Sequence, residues 1–239
     1  MEKFSIYNLL GLILPGAVLI FMLDILRNIF GILPEYTLTD SWETIVLVSI
    51  ILGAILYVTT LQAVNNKKLN KHVWGLYKHV TDLYLGMKSL HSFMNETFNK
   101  RANEWYGKDI YISNDEYHRL TPEKQTEIKD LQDEFYDRMY YELDYENKNE
   151  IPKNFQSFYF FFRQLTLACL ISFMALLLLT GLSLLPFLEC TTPCMIEIIT
   201  YFMGIGLLFI VSIWLGRWYR QRMVLKMYWA FYTHINLKK

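Results

Sequence analysis

Four stretches without a charged residue constrain this chain more than any other feature: Phe4 to Leu23, Thr44 to Asn66, Gln164 to Leu188 and Ile198 to Gly216. Each is about twenty residues long, the length a helix rising ~1.5 Å per residue needs to cross the ~30 Å hydrocarbon core of a bilayer. The 239 residues are 53% hydrophobic yet carry 23 basic and 23 acidic side chains, so charge is segregated from the apolar runs. That composition is too apolar for a typical soluble domain and too charged for burial in lipid throughout. It predicts an all-α, polytopic membrane protein with four transmembrane helices. The first run is read as a retained span, because it lacks a strongly basic start and a small-residue cleavage site and runs on through Asp24, Arg27 and Phe30.

The flanks of the runs set an orientation. Residues 31–43 hold Glu35, Asp40 and Glu43 with no Lys or Arg, and residues 186–197 hold Glu189 and Glu197 with none. Lys67, Lys68 and Lys71 follow the second run, and Arg217, Arg220, Arg222 and Lys226 follow the fourth. Positive charge stays on the cytoplasmic side, so both termini and the long central segment are expected there. The expected organisation is a first transmembrane hairpin over 1–66, a cytoplasmic helical insert over 67–155, a second hairpin over 156–216 and a basic amphipathic tail helix over 217–239. The aromatic run FQSFYFFFRQ before the third span reads as an interfacial belt. Arg163, Arg217, Arg220 and Arg222 are accordingly expected at lipid headgroups.

The insert begins with a heptad seam. Leu69, Val73, Leu76, Val80, Leu83, Met87, Leu90 and Met94 alternate spacings of four and three, which puts them on one narrow face of a helix. A second row of Trp74, Tyr77, Tyr84 and His91 widens that face and favours a bundle of several helices over a two-stranded zipper. Thr121, Pro122 and Glu123 form a helix start. The helix that follows carries Ile128, Leu131, Phe135, Met139 and Leu143 on one face and ends before Ile151 and Pro152. Residues 65–120 hold nine Lys or Arg against six Asp or Glu, whereas 121–155 hold five against ten. The two helices are therefore expected to pack antiparallel, with apolar burial supplying the energy and charge choosing the register. Between them, DIYIS suggests loop with one short strand. Val224, Leu225, Tyr228, Phe231 and Ile235 give the tail an apolar face that either covers the seam, the preferred reading, or lies on anionic lipid.

Two local features carry paired readings. Pro15 and Gly16 interrupt the first span: the proline predicts a kink whose freed carbonyl needs a neighbouring helix or water, and the pair forms a hinge, or Gly11, Gly16 and Ala17 simply allow close helix packing. Cys190 and Cys194 lie in an outer loop where oxidation allows a disulfide, against which stands the short, proline-containing ring CTTPC.

Catalytic signals are absent. No Gly-rich phosphate loop, HExxH, GxSxG or paired CxxC occurs. His72 and His79 are two turns apart, about 10 Å by helix rise, too far to ligate one ion. The carboxylates from Asp130 to Glu146 have the spacing of a solvated helix face. No enzyme activity, cofactor, metal site or direct nucleic-acid contact is expected. Transport remains as an alternative class: Thr59, Thr60, Gln62, Thr166, Ser172 and Thr180 supply polar groups that line a pore in an oligomer, or that act as interhelical glue.

The N-terminal FSIYNLLGLILPGAVLIF, with Tyr, Gly and then Pro-Gly inside the first span, resembles the start of many small multi-spanning proteins of bacterial anti-phage defence loci. The overall plan is similar to the four-helix membrane subunit of the Kiwa defence system. That resemblance implies an inner-membrane homo-oligomer that senses perturbation of the membrane and signals through a cytoplasmic protein partner. The alternative function is an oligomeric pore that depolarises the cell when the cytoplasmic bundle rearranges.

Overall fold

The computed structural model describes residues 11, 13–32, 41–65, 83–84, 91–183 and 195–237. These residues form α1 (Leu14–Phe30), α2 (Trp42–Asn65), α3 (His91–Tyr106), α4 (Asn114–Arg119), α5 (Pro122–Tyr145), α6 (Glu150–Ser183) and α7 (Met195–Leu237), with no strand among them. Three of these helices are long and apolar enough to cross a membrane: α2 over Trp42–Ala63, α6 and α7. The first expected span lies partly outside the described residues, and its described portion, α1, has 17 residues. The chain divides into two compact units, 1–76 with 156–219, and 77–155 with 220–239.

In the first unit α1, α2, α6 and α7 bury Met22, Leu26, Phe30, Leu165, Leu176 and Ile205 in one cluster and Leu19, Leu56 and Ala168 in another. Close approach depends on small residues: a methyl group at Gly16 would overlap the backbone of Ser49 and Gly53, so α1 and α2 meet there almost backbone to backbone. The chain ahead of Pro15 takes a wider π turn at Gly11 and Ile13, the adjustment expected where a helix loses a backbone donor. α1 ends at Gly31, whose φ of 61° supplies the left-handed cap residue while Ile32 N donates to Arg27 O at 3.1 Å. The outward faces remain apolar, with Leu47 and Ile51 of α2, Met174 and Leu178 of α6, and Leu207, Ile210 and Trp214 of α7 all exposed. A water-soluble protein rarely presents such continuous apolar surface, whereas hydrocarbon solvates it without penalty.

In the second unit α3 and α5 run antiparallel. Lys108 pairs with Glu127, the Trp105 ring lies 4.9 Å from that of Phe135, and Arg101 reaches Glu142 at 3.4 Å, so rising numbers on one helix meet falling numbers on the other. Local chemistry sets the boundaries. Gly107, at φ 71°, stops α3. Ser113 and Glu116 make a reciprocal capping box at the start of α4, and Thr121 with Pro122 opens α5 as its sequence predicts, although the Thr121 hydroxyl makes no capping bond. α5 closes in a Schellman turn, with Asn147 at φ 56° and Lys148 N donating to Leu143 O at 2.8 Å.

The strand expected at DIYIS does not form. Residues 109–113 are an extended loop whose partner is a side chain: Asn99 Oδ1 accepts from Ile110 N at 3.1 Å and from Tyr111 N at 2.8 Å, while its Nδ2 donates to Tyr111 O at 2.8 Å. Gln132 Nε2 donates to Ile110 O at 2.6 Å. Two amides thus perform the work of a neighbouring strand.

Candidate functional site

The second unit brings together three segments distant in sequence around one aromatic core. Leu83, Tyr84 and Met94 come from the seam region, Phe135, Met139 and Leu143 from α5, and Val224, Tyr228 and Phe231 from the end of α7, with Leu131, Leu225 and Ile235 packed against them. Phe98 is the hub, its ring centroid 5.3 Å from Tyr111, 5.5 Å from Tyr228, 6.1 Å from Phe135 and 6.2 Å from Phe231. Tyr84 stands at 4.8 Å from Tyr111 and 5.1 Å from Tyr228 in tilted and edge-on geometries that suit the aromatic quadrupole. The Tyr111 and Tyr228 hydroxyls are 3.3 Å apart and fully buried. Burial pushes the Tyr84 and Tyr111 phenols well above their usual range, so both stay neutral at physiological pH.

Of the seam, Leu83 and Met94 are the described members, and both are buried by segments of their own chain. Leu69, Val73, Leu76, Val80, Met87 and Leu90 lie outside the described residues, as do Cys190 and Cys194. Ile128, the first residue of the expected α5 face, is half-buried. The tail covers the core with the five residues of its apolar face, Val224, Leu225, Tyr228, Phe231 and Ile235.

A buried polar cluster closes one side of this core, and the sequence offered no spacing to reveal it. The side chain of His234 on α7 is 1% exposed; its Nε2 lies 3.1 Å from Glu142 Oε1 and its Nδ1 lies 3.0 Å from Lys148 Nζ and 3.4 Å from Glu146 Oε2. The ring is thus held between the Glu142 carboxylate on one edge and Lys148 with Glu146 on the other. Arg101 of α3 holds the other oxygen of Glu142. The nearest partner in sequence is 86 residues away, so no local pattern marks His234. Among the described residues no group of three His, Cys, Asp or Glu is arranged to hold a metal ion.

In the first unit, two of the polar residues that could line a pore, Thr166 and Ser172, are spent between helices. The Thr166 and Ser212 hydroxyls are 2.9 Å apart, and Ser172 Oγ donates to Met22 Sδ at 3.3 Å. Thr60 is buried and donates to Tyr57 O at 3.0 Å; Thr59 and Gln62 are exposed and Thr180 is half-buried. Tyr201 adds a 2.7 Å bond to Met22 O. Such contacts contribute on the order of 0.6 kcal/mol each in lipid and fix helix register more than they add stability. Pro15 and Gly16 are buried, Gly16 against α2.

The four arginines expected at headgroups part company. Arg217 and Arg222 are exposed, while Arg163 and Arg220 are buried at 3% and 8% exposure. Arg220 belongs to the second unit, near Asp137. Arg163 is enclosed by aromatic rings in the first unit.

No family model, curated protein or solved structure matches the chain.

Proposed function

We propose that the chain is a four-span bacterial inner-membrane protein, with both termini and residues 67–155 in the cytoplasm, that self-associates as a sensor and scaffold in anti-phage defence. Its state passes to a soluble partner through the cytoplasmic helical bundle. The observation that carries this reading is α7, one unbroken helix of 43 residues. Its uncharged stretch ends at Gly216, and its last turns supply Val224, Tyr228 and Phe231 to the core of the second unit. Helix α6 likewise runs without a break from Glu150 to Ser183. A displacement of either helix along its axis has a direct covalent route to a packed core, and packed cores respond by switching arrangements rather than by gradual deformation. The resemblance to the Kiwa membrane subunit supplies the defence setting. Because Leu83 and Met94 are covered within the chain, self-association draws on other surface.

Light scattering on the detergent-solubilised protein tests the proposal. The expected mass is a multiple of the 28.5 kDa chain, and protection against phage requires co-expression of a neighbouring gene. A strictly monomeric particle overturns self-association. Toxicity and dye leakage on expression alone overturn the scaffold reading in favour of a pore.

A further inference from the structure

Among the described residues, Arg163 is a buried cation without a counter-ion. It is 3% exposed on α6, and no described residue forms an ion pair or hydrogen bond with it. Its Nε and Nη2 are buried without an acceptor. What surrounds it is aromatic: the guanidinium carbon is 4.8 Å from the Phe160 ring centroid and 5.7 Å from those of Tyr57 and Tyr159. Arginine stays charged at every physiological pH, and ring faces offset part of its desolvation while leaving the N–H donors unused. A guanidinium held in this way is short of one anion that can offer it two oxygens.

Depth selects the anion. From Gln164 to Ser183, α6 has no charged residue, and at 1.5 Å per residue these twenty positions span about 30 Å, the thickness of the hydrocarbon core. Arg163 therefore sits where phosphodiesters begin. The carboxylates of the described first unit lie at the other end. Glu43 is in the first turn of α2, fourteen residues and about 21 Å before Tyr57 by helix rise. Glu197 opens α7, and Asp24 follows Met22, whose carbonyl bonds to Tyr201 near that same end of α7, and is paired with Arg27.

We propose that Arg163, walled by Tyr57, Tyr159 and Phe160, binds the headgroup phosphate of one anionic phospholipid, with the guanidinium fork on the phosphate oxygens and the rings against the glycerol and upper acyl carbons. The proposal rests on membrane embedding of α2 and α6 and on neither self-association nor defence.

Native mass spectrometry of the full chain in detergent, after delipidation and titration with phosphatidylglycerol, tests it. The wild type should hold its first phosphatidylglycerol at least tenfold more tightly than phosphatidylcholine. Arg163→Gln should lose that preference, and Arg163→Lys, a point charge without the fork, should fall between them. Tyr57→Leu, which keeps the charge and removes one wall, should weaken binding several-fold and decides the matter if Arg163→Gln does not fold. Unchanged phosphatidylglycerol affinity in a folded Arg163→Gln variant, or in Tyr57→Leu, overturns the site. Inorganic phosphate that binds with the same dependence on Arg163 and displaces the lipid overturns the lipid assignment, as does a lipid-free dimer that Arg163→Gln dissociates. A chain that extracts into buffer without detergent removes the membrane premise itself, a result distinct from lipid binding that ignores Arg163.

Discussion

The side-chain amide of Gln164 donates a 2.6 Å hydrogen bond to the carbonyl of Gly11, the acceptor that Pro15, four residues on, cannot serve. Both partners are buried within the helix packing, so water does not reach them as a substitute. Gln164→Leu should therefore lower stability in detergent by about 1 kcal/mol, within the range of interhelical hydrogen bonds in membranes. Pro15→Ala restores a helical donor to Gly11 and should abolish most of that penalty. Thermal unfolding of the two single variants and the double variant measures the coupling; a Gln164→Leu penalty that survives Pro15→Ala disproves the link.

Asn99 braces the 109–113 loop with one acceptor and one donor, so its variants should separate the two roles. Asn99→Leu leaves the Ile110 and Tyr111 N–H groups buried without a partner and should cost about 1–3 kcal/mol for each. Asn99→Asp keeps the acceptor, loses only the donation to Tyr111 O, and should be intermediate. Chemical denaturation followed by Trp105 fluorescence gives the ranking, and equal losses in both variants would contradict it.

Phe231 is fully buried against Phe98, Trp105 and Phe135. Phe231→Ala should destabilise the second unit by about 3–5 kcal/mol. The near-UV circular dichroism of the aromatic core should collapse while detergent extraction and the helical signal of the apolar segments persist. Loss of membrane insertion in this variant would show that the two units do not fold separately.

Acid should loosen the second unit from its rim inward. Bonds from the Ser113 backbone and hydroxyl hold Glu116 below its ordinary 4.5, the ammonium of Lys108 does the same for Glu127, and Lys153 with Asn149 hold Asp144 below 3.8. Each group is depressed in the folded state, so its contribution is complete above the unfolded value and is lost as pH falls through the folded one. Stability should be level above about pH 5 with respect to these groups and decline below 4.5. Ser113→Ala should flatten that decline and cost about 1 kcal/mol at neutral pH through loss of the helix cap. A Tm that rises between pH 5 and pH 3 would contradict the sign.

What could be read from the residues in order was what depends on neighbours in order. The apolar runs behind α2, α6 and α7 are legible because transfer into hydrocarbon is additive along a helix and needs no partner. The start of α5 is legible at Thr121 and Pro122 because capping is settled within one turn. The apolar faces ending in Leu143 and Ile235 follow from helical period. DIYIS suggests a short strand within its loop because extended residues look alike whether a strand or the amide of Asn99 pairs with them. Only the tertiary structure decided which faces meet: that the tail covers Leu83 and Met94, that His234 closes on Glu142, that Gln164 serves Gly11, and that Arg163 is ringed by Tyr57, Tyr159 and Phe160 with no carboxylate beside it among the described residues. The reason is physical. A sequence states what each helix face must hide, but the partner that hides it is chosen by crossing angle and depth, which no single helix contains.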